Sequence, residues 1–148
     1  MPVRLLTAVL VSAVAPAAAL AWAGPPAAAP PKPATAAGPL PAWAETASRS
    51  SWLAYSGYCW KTGCADYLPP ASRPDLPVLT ITRGGSVRFH FGFRPTSVSV
   101  TVLGSTTTTT NLAATQVVTW KPRTAGVFTL ALKAPPGSAG YAGRIRFR

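Results

Sequence analysis

From Val78 onward, apolar residues recur at every second position. In the run that opens at Ser86, Val87, Phe89, Phe91 and Phe93 fall on one side, and Arg88, His90, Gly92 and Arg94 on the other. Successive side chains of a strand point to opposite faces, so this spacing fits a strand with one buried and one wet face. The same alternation predicts strands over Val78–Thr82, Ser97–Leu103, Gln116–Trp120, Val127–Lys133 and Tyr141–Arg148. Their inward sets include Val98, Val100 and Val102, then Phe128, Leu130 and Leu132, then Ile145 and Phe147. Arg83-Gly84-Gly85, Lys121–Gly126 and the Pro/Gly stretch Ala134–Gly140 punctuate them as turns and loops. Gly104–Asn111 holds five consecutive threonines and no apolar face, which fits an exposed loop or an edge strand. No amphipathic helix is visible beyond the N-terminal region. About six to seven half-buried strands close best as an all-β fold, a small antiparallel immunoglobulin-like sandwich.

The N-terminal third has a different composition. Arg4 precedes an apolar run from Leu5 to Leu20, and Ala21-Trp22-Ala23 sets small residues at the two positions that a signal peptidase reads. Residues 1–23 are therefore expected to be a signal helix cut between Ala23 and Gly24. The competing possibility is an uncleaved membrane anchor. It is disfavoured because alanine and Pro16 weaken the hydrophobicity of a segment barely long enough to span. No cysteine lies near the cut, so an N-terminal lipid anchor is not expected. Residues 24–43 are nearly all Pro, Ala and Gly, and are expected to form a disordered, partly polyproline-II tether without a partner. Residues 44–148 remain for the folded domain.

Charge narrows the choice of partner. The chain carries 14 Lys and Arg against 3 Asp and Glu, a formal net charge of +11. Such an excess draws a protein towards polyanions, among them wall polymers, anionic membrane surfaces and nucleic acid. A compositional bias towards arginine would produce the same count. Arg144, Arg146 and Arg148 project from one face of the last predicted strand, with Arg88 and Arg94 as a second outward row. Arginine suits phosphate and carboxylate contacts, whereas a solvated or edge-guarding role needs no ligand.

The two cysteines, Cys59 and Cys64, sit in an aromatic segment with Trp52, Tyr55, Tyr58 and Trp60. In an exported chain they are expected to form one disulfide closing a short loop, with Gly63 permitting the bend. A redox pair lacks the two-residue spacing such pairs use, and a zinc site lacks ligands in a chain with one histidine. The aromatics either cap the core or offer Trp52, Tyr58 and Trp60 as a surface for another exported protein. The segment Tyr58-Cys59-Trp60 followed by Cys64-Ala65-Asp66-Tyr67-Leu68-Pro69-Pro70 resembles a YCW…CAD-type segment of bacterial secreted proteins and lipoproteins, where it precedes a small β-domain. The Gly-Gly turn of Val78–Phe93 is similar too. The resemblance implies a β-sandwich and no catalytic residues, and the lipidated cysteine of the lipoprotein members is missing here.

Little in the sequence supports catalysis. His90 is the only histidine, and its place on a polar strand face predicts a solvated side chain. The carboxylates, Glu45, Asp66 and Asp75, are scattered, so neither an oriented general base nor a carboxylate pair is legible. Leu79–Ile81, Gly84-Gly85 and Val87–Phe89 are similar to the opening strands of cupredoxins. Their copper site needs two His and a Cys, and this chain cannot supply them. No phosphate-cradling Gly loop opens a helix, so neither a nucleotide nor any other cofactor is expected, nor specific nucleic-acid recognition. The expectation is a non-catalytic secreted module that meets an anionic wall polymer or membrane surface. The alternative is a structural domain that contacts another exported protein through the Cys59–Cys64 loop or a sheet edge.

Overall fold

The computed structural model describes residues 22–148; most of the expected signal helix, residues 1–21, lies outside the described residues. Two sheets stack face to face. The smaller runs β2 (Ser50–Trp52), β1 (Trp43–Glu45), β6 (Val87–His90), β9 (Val117–Trp120), all antiparallel. The larger runs β4 (Gly63–Ala65), β3 (Ala54–Trp60), β11 (Gly137–Phe147), β10 (Gly126–Ala134), β7 (Ser97–Leu103), β8 (Thr108–Leu112). β5 (Val78–Ile81) lies parallel to the second half of β11. The expected all-β sandwich is therefore present, and each alternating run supplies one inner face. Phe89 and Trp120 of the smaller sheet meet Phe128 of the larger, with ring centroids 5.6 and 5.7 Å from it. Aromatic contacts of this kind add to the area buried between the layers.

The described strands number eleven rather than six or seven. The additional ones come mainly from residues 43–65, where a bulge hides the period. Gly140 pairs with Gly57, but Tyr141 pairs with Tyr55, so Ser56 is an extra residue in β3. The bulge flips the alternation, and Tyr55, Tyr58 and Trp60 all point into the core. The threonine run forms the exposed edge strand β8. The expected Ala134–Gly140 loop contracts to a two-residue turn, Pro135-Pro136, between β10 and β11. Gly137 closes that turn with φ +151°, and a Cβ there would lie 2.0 Å from the Cys59 carbonyl oxygen. Only glycine lets the two backbones approach so closely.

The Pro/Ala-rich stretch lacks regular structure, yet it is laid along the sandwich rather than held away from it. The chain's four tyrosines are its anchors. The Tyr55 hydroxyl donates to the Pro39 carbonyl (2.8 Å) and that of Tyr141 to the Leu40 carbonyl (2.6 Å). The Thr35 N–H donates to the Tyr58 hydroxyl (2.9 Å) and the Ala34 N–H to that of Tyr67 (3.2 Å). Pro39 is fully buried. A proline-rich chain offers few N–H groups and many unpaired carbonyls, and phenolic hydroxyls satisfy them without a β-ladder. The expected tether boundary, between residues 43 and 44, falls inside β1, and the packed unit reaches back at least to Gly24.

Candidate functional site

The outer face of the smaller sheet brings an acid, a guanidinium and the chain's one histidine into a single cluster. Register places Trp52, Trp43, His90 and Val117 in one row across the four strands, and Ser50, Glu45, Arg88 and Thr119 in the next. Glu45 is fully buried. Its Oε1 takes Arg88 Nε at 2.6 Å and His90 Nε2 at 2.7 Å, and its Oε2 accepts the Gly24 N–H at 2.9 Å. Burial alone would raise the pKa of Glu45. The hydrogen bonds from His90, Arg88 and Gly24 outweigh it and hold the carboxyl below its ordinary value. Trp43 stacks on the His90 ring, and Trp22 lies over the Arg88 guanidinium, 4.3 Å from Cζ to the ring centroid.

Two expectations change here. His90 is not a solvated side chain but a partner of a buried carboxylate. Arg88 is not a free outward cation but the counter-ion of Glu45, and it forms no row with Arg94, which lies beyond β6 and is exposed. Chemically, the cluster is a saturated carboxylate. Both oxygens are engaged and the acid form is disfavoured, so it suits holding two strands and the incoming chain together better than delivering a proton. Sequence reasoning missed the cluster because Glu45 and Arg88 are far apart in the chain. The only local signal was a lone acid beside Trp43.

The arginines of the last strand stand differently. Arg144 and Arg146 project from the outer face of the larger sheet, opposite the buried Ile145, with Arg148 just beyond the strand end. None of the three forms an ion pair among the described residues; the arginines that do are Arg73, with Asp75, and Arg88. Arg148 also lines a cleft of about 70 Å³ with Ser48, Thr80, Thr82 and Ser86. Arg83 reaches the same end of the sandwich, with its Cζ 5.0 Å from the Phe147 ring centroid.

The cysteines form the expected disulfide, and they do so as a directly paired position of the β3–β4 hairpin. The residue that bends this hairpin is Lys61, at φ +54°, rather than Gly63, which pairs with Trp60 inside the ladder. Both cysteines are exposed, while Tyr58 and Trp60 are buried. These two aromatics are thus core residues and present no surface to a partner. Trp52 lies on the other sheet, where its indole N–H donates to the Ala28 carbonyl at 2.7 Å.

No protein family, curated protein or solved structure is found to match the chain.

Proposed function

We propose that this protein is an exported, non-catalytic module whose Arg144–Arg146–Arg148 row meets an anionic polymer of the cell surface. The carrying observation is that these three guanidiniums share one end of the larger sheet with no carboxylate paired to them among the described residues. An unpaired arginine keeps its planar donor fork for phosphate or carboxylate. The cleft beside Arg148, lined by hydroxyl groups, has room for one small anionic group of such a polymer. The Ala21-Trp22-Ala23 motif supports export and cleavage.

Co-sedimentation with isolated bacterial cell walls across a salt series tests this. Binding that weakens steeply with salt is expected, together with loss of most of it in the Arg144→Ser/Arg146→Ser/Arg148→Ser variant at unchanged melting temperature. Salt-independent binding, or full binding by the variant, would refute it.

A second reading, contact with another exported protein, is favoured by the short exposed edge strands β4 and β8 and by the exposed Leu68 beyond β4.

A further inference from the structure

Glu45 is one of only three acidic residues in the chain, and it is fully buried. Its two oxygens are treated unequally. Oε1 carries both the Arg88 guanidinium and the His90 ring, whereas Oε2 accepts from the backbone N–H of Gly24. Gly24 adopts φ +76°, in the left-handed region, and no atom crowds the position of its missing side chain. It is also the residue that follows Ala21-Trp22-Ala23. Upstream of it the chain is held loosely, by a 3.4 Å hydrogen bond from the Ala23 N–H to the Thr46 carbonyl and by Trp22 over Arg88. Downstream, Trp52 and the four tyrosines fasten the segment down to Leu40.

We propose that Glu45 is the receptor for the α-ammonium group released on Gly24 when the Ala23–Gly24 bond is cut, a proposal that rests on the cleavage reading above. Hydrolysis adds water across that peptide bond. Ala23 leaves as a carboxylate with the preceding segment, and the Gly24 nitrogen gains protons to become –NH3+. The nitrogen already sits 2.9 Å from Glu45 Oε2, so an amide–carboxylate hydrogen bond becomes an ion pair without relocation of the chain. Three groups then face the carboxylate: Arg88, His90 and the new ammonium. The ammonium has Oε2 to itself, which separates it from the other two. Glycine fits this place through its backbone, since φ +76° lies in the left-handed region that side chains disfavour. Processing would thus complete the site on the smaller sheet, and the mature N-terminus would be stapled to β1 rather than left free.

The test uses the full 148-residue chain produced in an exporting bacterial host. Intact mass and N-terminal peptide mapping of the exported protein should begin at Gly24. The pH profile of trace acetylation at the Gly24 amine is then compared between native protein, urea-unfolded protein and the Glu45→Gln variant. In native wild type the midpoint should lie at least about one unit above the ordinary α-amino value of about 7.7–8.0, making labelling at least about fourfold slower near pH 8 and approaching about tenfold slower at about pH 7 and below. Glu45→Gln should return the midpoint to the unfolded value. Burial without an ion pair would slow labelling while leaving the midpoint unraised, which overturns the proposal alone. A terminus elsewhere than Gly24 overturns both the proposal and the cleavage reading. If Glu45→Gln does not fold, the native and unfolded wild-type profiles still decide.

Discussion

His90 and Trp43 stack face to face on the smaller sheet, with ring centroids 3.7 Å apart and planes within 1°. The stack fixes the imidazole so that Nε2 points at Glu45, two residues along β1. Packing and polar contact therefore cooperate on a single carboxylate.

The pH dependence of stability should carry the mark of this carboxylate. Its pKa is lowered in the folded state, so its contribution is complete above the unfolded carboxylate value of about 4.3. The contribution is lost as pH falls through the lower folded value. Thermal melts of wild type and Glu45→Gln from pH 7 to pH 3 should converge at the acid end. At pH 7 the variant is expected to be less stable by about 1–3 kcal/mol, because Arg88 keeps its half-buried place without a counter-ion.

Alkaline pH should act through the tyrosine anchors. Burial pushes the phenols of Tyr55 and Tyr141 well above their ordinary value, and the neighbouring tyrosines add to the shift. A folded pKa above the unfolded one of about 10 means that stability is full below that pH and declines as pH rises past it. Absorbance at 295 nm should show these two phenols ionising together with unfolding. Tyr141→Phe removes the donor to the Leu40 carbonyl and is expected to cost about 1–3 kcal/mol by urea denaturation.

The disulfide should matter less than its place in the densest aromatic segment suggests. Cys59 and Cys64 close a ring of a few residues on the exposed side of a hairpin whose inner side is held by Tyr58 and Trp60. On the loop-entropy account, Cys59→Ser with Cys64→Ser is expected to lose only about 2 kcal/mol. The variant should keep a cooperative melt and an unchanged near-ultraviolet spectrum.

How far the fold could be read from the sequence depended on whether period two ran unbroken. It does in Ser97–Leu103, where the expected strand and the observed one coincide, and Val98, Val100 and Val102 are all buried. It fails in Ala54–Trp60, where Tyr55 and Tyr58 share a face only because Ser56 is bulged. No composition rule places that bulge. The Arg144–Arg146–Arg148 row was legible because it follows one regular strand and the residue just past its end. The Glu45 cluster was not, since it joins two strands and the segment at Gly24. The docked Pro/Ala stretch escaped notice for a related reason. Composition reports what a segment can bury by itself, whereas here tyrosines from β3, β11 and the stretch after β4 supply the partners.

The position of β11 within the larger sheet bears on how the molecule is made. Its first half pairs with β3 on one side, its second half with β5, and nearly its whole length with β10 on the other. Gly137 meets Trp60 and Ala142 meets Ala54, so the sheet's central seam joins regions distant in the chain. While the polypeptide is being synthesised, β3 and β5 must wait for a neighbour that arrives after β10. Closure of the sheet is therefore a late, long-range event, and the chain stays pliable until Phe147 has emerged. On the export reading proposed above, such a delay is useful: the topology itself postpones the native state until the last strand is through.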